Sequence, residues 1–186
     1  MRRCPEALTR NHQLLMPPRL DWLKRLRERG VSVDALCEPE LPAQAQVVMR
    51  DSVFDFADEC DDAAVDAVIF LARDEFGDPA DLVAWDPRGN RIAGWYGAAP
   101  LLGAENIFGP RLDPEQALRV DESPLHWLLA EREGVVIVHS LRAAPILREY
   151  EPLKVVDPTF GRRLAILINP KPPRIYAPSV SAKEAA

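Results

Sequence analysis

At 186 residues, 47% of them hydrophobic, the chain can bury a core without disulfides or metal, and a single domain is the default. A formal net charge of −6 excludes a surface that binds nucleic acid over its whole extent. Cys4, Cys37 and Cys60, odd in number and widely spaced, exclude both a disulfide framework and a paired-cysteine zinc site.

The charge is unevenly placed. Residues 1–30 carry eight basic side chains against three acids, a balance of +5 that leaves −11 for the remainder. A basic head and an acidic body therefore need separate readings. Residues 1–17 hold no sustained period and read as a loose arm, and the run Leu14-Leu15-Met16 is too short for a signal-peptide core or a membrane span. A soluble, cytoplasmic chain is expected. Beyond Pro17-Pro18, Leu20, Leu23 and Leu26 share one side of a short amphipathic helix, with Trp22 beside them and Gly30 at the stop position. Arg19, Lys24, Arg25, Arg27 and Arg29 make this helix the candidate contact for a nucleic-acid backbone or an acidic protein partner. Residues 38–46 contain two prolines and no apolar cluster, which suits a linker. The division expected is a head over 1–46, a body over 47–178 and a disordered tail over 179–186.

In the body, Val47–Met49 and Val53–Phe56 are strand-like pieces. Val65–Arg73 has helical propensity, yet the turn Gly77-Asp78-Pro79 and a second apolar run, Leu82–Trp85, follow at once, so a strand is predicted. With Arg91–Tyr96 as the third strand, these segments make an antiparallel meander. Residues 97–122 have little period; Leu101-Leu102-Gly103 suits packed loop or short helix, and Pro114–Leu118 suits one helical turn.

The next stretch, Ser123–Ser140, is the most explicit. Ser123 is a favourable N-cap, Pro124 fits the first helical position, and Leu125, Leu128 and Leu129 recur at helical spacing before Gly134. Val135–Val138 is β-branched throughout, which predicts a strand in the middle of a covered sheet. Pro145 places the start of the following regular helix near Ala144. Leu153–Val156 reads as a strand parallel to and beside Val135–Val138, and Asp157-Pro158 opens a helix marked by Phe160, Leu164, Leu167 and Ile168. The fold class expected is α/β, with α+β as the alternative: a single mixed sheet in which the antiparallel meander joins a C-terminal βαβα unit.

Phrases including Val53-Phe54-Asp55-Phe56-Ala57-Asp58, Asp81-Leu82-Val83-Ala84-Trp85, Leu101-Leu102-Gly103, Ser123-Pro124-Leu125-His126-Trp127-Leu128 and Gly134-Val135-Val136-Ile137-Val138 resemble an uncharacterised bacterial family linked to prophage and other mobile elements. The resemblance covers most of Val53–Pro178 and none of the head. It implies a bacterial or phage setting and carries no catalytic motif.

The chain has no phosphate-loop motif, no dinucleotide fingerprint, no HExxH and no GxSxG. The acidic group Asp55, Asp58, Glu59, Asp61, Asp62 and Asp66 lacks the alternation and turn glycine of a calcium loop and reads as solvated, so no metal and no cofactor are expected. His126, Trp127 and the other tryptophans, Trp22, Trp85 and Trp95, read as rim or core packing. The best candidate pocket joins His139, Ser140 and Asp157, which fall at strand ends where open α/β sheets bind ligands. Adjacent His139 and Ser140 on extended backbone point to opposite sides, which argues against a Ser-His-Asp triad. The function expected is that of a noncatalytic accessory or interaction protein, with a protein partner or self-association. The alternative is a small-molecule or nucleotide-binding enzyme using that carboxyl edge.

Overall fold

The uninterrupted apolar run at 65–73 is a strand, and both of its faces are buried. In the computed structural model, which describes residues 4–58, 60–107, 117–150 and 152–169, β3 (Val65–Arg73) pairs antiparallel with β4 (Pro79–Asp86). Side chains alternate across a strand with period two. Ala67, Ile69 and Leu71 of β3 face one core with Leu82 and Ala84, whereas Val68, Phe70 and Ala72 face another with Val83 and Trp85. Such a strand shows no polar alternation, so periodicity alone does not separate it from a buried helix. Asp74 Oδ1 accepts from the backbone N–H groups of Phe76 and Asp78, and Gly77 takes a φ of 86°, so the turn is locally encoded. β5 (Arg91–Gly94) completes the meander against β4.

The single sheet is not what forms. The hairpin of β1 (Ala43–Arg50) and β2 (Val53–Phe56) wraps round, so that β1 pairs with β3 and β2 meets β5 through the parallel contact Val53↔Gly94. The result is a closed five-stranded barrel in the cyclic order β1-β2-β5-β4-β3, with a second sheet of four strands beside it. Closure follows from small side chains: Ala43, Ala67, Ala84 and Ala93 line the interior with Val47, Phe54 and Leu82, leaving room for only a few large groups. β1 begins at Ala43, inside the stretch read as linker, where the alternation Ala43-Gln44-Ala45-Gln46 is a strand pattern written in small residues.

The arm is a helix as well. α1 (Pro5–Leu14) closes one end of the barrel by inserting Leu8 into the interior cluster. Buried His12 places Nε2 3.2 Å from the Ile69 carbonyl oxygen. Burial pushes the His12 imidazole below its ordinary value, against the opposing pull of that carbonyl. The folded protein therefore binds a proton at His12 less readily than the unfolded chain. This stability is complete above about pH 6.5, the ordinary histidine value, and is lost as the pH falls towards the folded value. His12→Gln keeps a donor for Ile69 without titrating and is expected to melt with a shallower loss between pH 7.5 and 5 than the parent. Equal slopes would show that His12 does not couple α1 to pH.

α2 (Leu20–Glu28) forms as expected and buries Leu26 against the outer face of β3 and β4, with Trp22 and Leu23 partly buried. Leu20 departs from the predicted stripe and is exposed. α3 (Val33–Cys37) is capped by Ser32, whose hydroxyl accepts from Ala35 N–H at 2.9 Å.

The second sheet runs β6-β8-β7-β9, from β6 (Leu101–Leu102), β8 (Val135–Ile137), β7 (Leu118–Asp121) and β9 (Leu153–Lys154). β8 is interior, as its composition requires. It is not beside β9, because β7 lies between them, parallel to both. Leu118 therefore belongs to a strand rather than to a helical turn; residues 114–116 of that expected turn lie outside the described residues, as does the tail at 179–186. α4 (Pro124–Leu129) places Trp127 and Leu128 against the barrel, whereas α5 (Ser140–Glu149) and α6 (Pro158–Ile168) pack on the opposite face of the sheet. α5 starts at Ser140, not near Ala144, and carries Pro145 in its interior. The carbonyl that Pro145 leaves without its usual helical donor belongs to Leu141, an exposed residue. Among the described residues, no helix is long and apolar enough to cross a membrane.

Candidate functional site

The carboxyl edge of the second sheet is built from β8, β7 and β9. The connections β7-α4-β8 and β8-α5-β9 run in opposite directions, and their helices lie on opposite faces, so the crevice expected of such a reversal falls between β7 and β8. His139 and Ser140 follow β8 at that point. Asp157 follows β9, with β7 intervening, so the structure sets it apart from the other two.

The carboxylates at this edge have folding tasks. Asp157 caps α6 by accepting from Thr159 N–H at 3.1 Å and Phe160 N–H at 2.9 Å, bonds that hold its carboxyl below the usual range. Ser140 is the exposed first residue of α5, and His139 is half-buried with Nδ1 unpartnered among the described residues. The sequence did not single out Asp121, Glu122 and Ser123 as site residues, although they end β7 at the centre of this edge. Asp121 is buried in a forked pair with Arg119, at 2.8 Å from Nε to Oδ2 and 2.9 Å from Nη2 to Oδ1. Glu122 pairs with Arg163, and Ser123 caps α4.

A different group converges on the barrel. Arg19, Arg25 and Arg29 stand along α2 and its ends, and Arg88 reaches across from the β4–β5 turn. Between these banks lies a pocket of about 360 Å³ floored by Trp22, Leu26, Ala67, Val68 and Trp85. Of the five basic residues proposed from sequence, Arg19, Arg25 and Arg29 therefore share one groove. Lys24 and Arg27 do not line it, and Arg27 Nη1 instead donates to the Val31 carbonyl at 3.0 Å, tying down the end of α2. The register Val68↔Trp85, close to Asp66 and Arg88, is what adds Arg88, so only the β3–β4 pairing could have revealed it.

Two acids temper the groove. Asp21 lies 3.2 Å from Arg19 and 3.8 Å from Arg25, and Asp66 lies 3.9 Å from Arg88. All these side chains are more than a third exposed, so each pair is weak and exchangeable. Among the described residues Arg29 has no ion pair, and four guanidinium groups against two carboxylates leave the lining at +2. Trp22 Nε1 is buried without a partner among the described residues, while Trp85 Nε1 faces Asn90 Oδ1 at 3.4 Å.

A second charged cluster lies where the head, the barrel and the second sheet meet. Glu40 and Arg73 pair at 2.5 Å, Glu105 lies nearby with its carboxyl pushed up by burial, and Arg132 bonds to the head. Among the described residues no three metal-ligating side chains come together, and Glu59 of the acidic loop lies outside them. Comparison with family models, with curated proteins and with solved structures finds no match to this chain.

Proposed function

We propose that this protein is a noncatalytic binding component of a bacterial or phage system, acting in the cytoplasm, and that its ligand carries phosphate groups. The setting rests on the sequence resemblance. The ligand rests on one observation, the convergence of Arg88 with Arg19, Arg25 and Arg29 over a tryptophan floor. Guanidinium groups donate in pairs to phosphate oxygens, and their hydration is weak enough to be displaced. α2 is held on the barrel by Leu26, so Arg19, Arg25 and Arg29 have a fixed backbone to work from.

The carboxyl-edge enzyme is less well supported, because Asp121, Ser123 and Asp157 are committed to an ion pair and two helix caps. For a protein partner, the exposed Leu14, Met16 and Leu20 at the junction of α1 and α2 offer an apolar rim. Titration of the full-length protein with tripolyphosphate, followed by tryptophan emission and melting temperature, tests the ligand class. A saturable change that is lost in Arg25→Glu and Arg88→Glu is expected. No response in either readout up to millimolar concentration would overturn it.

A further inference from the structure

We infer that the groove between α2 and the barrel takes single-stranded nucleic acid, with its backbone running along the arginines. The inference rests on the phosphate-binding reading above and goes beyond it in naming the polymer.

Length is the first argument. Arg19 and Arg29 are ten residues apart, about 15 Å along a helix at 1.5 Å per residue. Measured along the backbone, that run is longer than one phosphate group and suits successive phosphodiesters. Arg25 stands between them and Arg88 on the facing bank, so the arginines converge on the groove from both banks along its length.

The floor is the second argument. Trp22 is only partly buried and lines the pocket, which places an indole between the two basic banks. Single-strand sites combine an aromatic side chain, on which any base can stack, with a basic groove that tracks the backbone. Because the cations contact phosphates, binding should depend little on sequence.

Shape and charge favour the single strand. α2 is packed on the barrel through Leu26, with Trp22 and Leu23 against the same core, so its groove arginines line a cleft against the barrel instead of a projecting helix. A duplex carries about one charge per 1.7 Å of axis and would extend beyond the groove. Outside the first 30 residues the chain sums to −11, which repels such a rod. A single strand can follow the groove and leave the acidic surface alone.

The test uses the full-length protein and labelled 12-nucleotide single strands of DNA and RNA, their duplexes, and tripolyphosphate as competitor, read by fluorescence anisotropy. Four neutralised phosphates give a salt slope of about −2.8, or an affinity loss of about fifty-fold between 50 and 200 mM salt. Single strands are expected to bind at least tenfold more tightly than duplexes. Arg25→Glu and Arg88→Glu should each weaken them at least tenfold at unchanged melting temperature, whereas Lys24→Glu, on the same helix outside the groove, should change binding less than threefold. DNA and RNA strands binding alike would fit contact through phosphates; a tenfold preference for one would fit contact with the sugar, within the same proposal. Duplex binding as tight as single-strand binding, or a Lys24→Glu loss equal to that of Arg25→Glu, overturns the inference. Tripolyphosphate competing as well as an oligonucleotide, at equal phosphate concentration, overturns it while leaving the phosphate reading in place. Failure of both ligands to bind removes both.

Discussion

Arg132→Ala is expected to destabilise the protein by about 3–5 kcal/mol, the scale for removing one member of a buried charged network. At about 2–4 °C per kcal/mol for a chain of this size, the melting temperature should fall by roughly 6–20 °C. The buried guanidinium reaches the head from the far side of α4. Its Nε donates to the Ala35 carbonyl at 2.6 Å, and Nη2 donates to those of Glu40 at 3.1 Å and Leu36 at 3.4 Å. These acceptors lie at the end of α3 and just beyond it, where helical carbonyls lack intrahelical donors and a cation is favourable. Phe70 and Trp127 flank the guanidinium, with ring centroids 5.9 and 5.3 Å from its central carbon. Burial lowers the arginine's proton affinity, yet an arginine so placed still carries its charge. Truncation removes the donors and opens a cavity beside two aromatic rings. Arg132→Lys should recover only part of the loss, since one ammonium lacks the planar fork. Urea melts of the three proteins check this, and a loss below about 1 kcal/mol for Arg132→Ala would show that the head docks without it.

Asp81→Ala should be comparably damaging, at about 3–5 kcal/mol, because several backbone N–H groups lose their acceptor at once and each buried orphan costs about 1–3 kcal/mol. Asp81 is 0% exposed and stands in the apolar strand β4. Its carboxylate accepts from Leu82 N–H at 2.9 Å, Tyr96 N–H at 3.1 Å and Ala98 N–H at 2.8 Å. It thereby fixes the segment that leaves the barrel for the second sheet. Gly94 serves the same knot: a Cβ there would lie 2.9 Å from Asp81 Oδ2. Burial pushes the Asp81 carboxyl above its ordinary value, against the opposing pull of the backbone donors. The folded state then holds the proton more readily than the unfolded one, so this group's contribution is complete in acid and diminishes as the pH rises through its folded value. That is the opposite sign to His12. Asp81→Asn brings amide hydrogens towards groups that are themselves donors and should not restore the loss. A melt of Asp81→Ala within about 1 kcal/mol of the parent would contradict the role.

Both residues show where sequence reasoning stops. A lone carboxylate in the run Pro79–Trp85 is a legible sign, since a buried charge needs partners, but apart from adjacent Leu82 the partners lie fifteen or more residues on. Glu131-Arg132-Glu133 reads as a solvated charge run, and nothing local shows that the middle residue turns inward. Glu131 and Arg132 take φ values of 53° and 56°, so α4 stops at Leu129 well before Gly134. The meander was legible because its turns are encoded on the spot by Asp74, Gly77 and Asp86. Barrel closure was not, because it depends on β1 meeting β3 and β2 meeting β5 across the meander. β7 is four residues long and carries no turn signal of its own, so the order of the second sheet, and with it the separation of Asp157 from His139, stayed hidden. The basic face of α2 was readable from its spacing; its opposite bank, Arg88, depended on a strand register.

The most direct measurement of the groove is photo-crosslinking of a bound single-stranded oligonucleotide to the full-length protein, followed by peptide mapping. Crosslinks should fall within residues 19–29, which span α2 and its two caps, and residues 85–91 around the β4–β5 turn, with Trp22 and Arg88 foremost. Crosslinks confined to residues 118–168, at the carboxyl edge of the second sheet, would contradict the account and move the binding site to β7, β8 and β9.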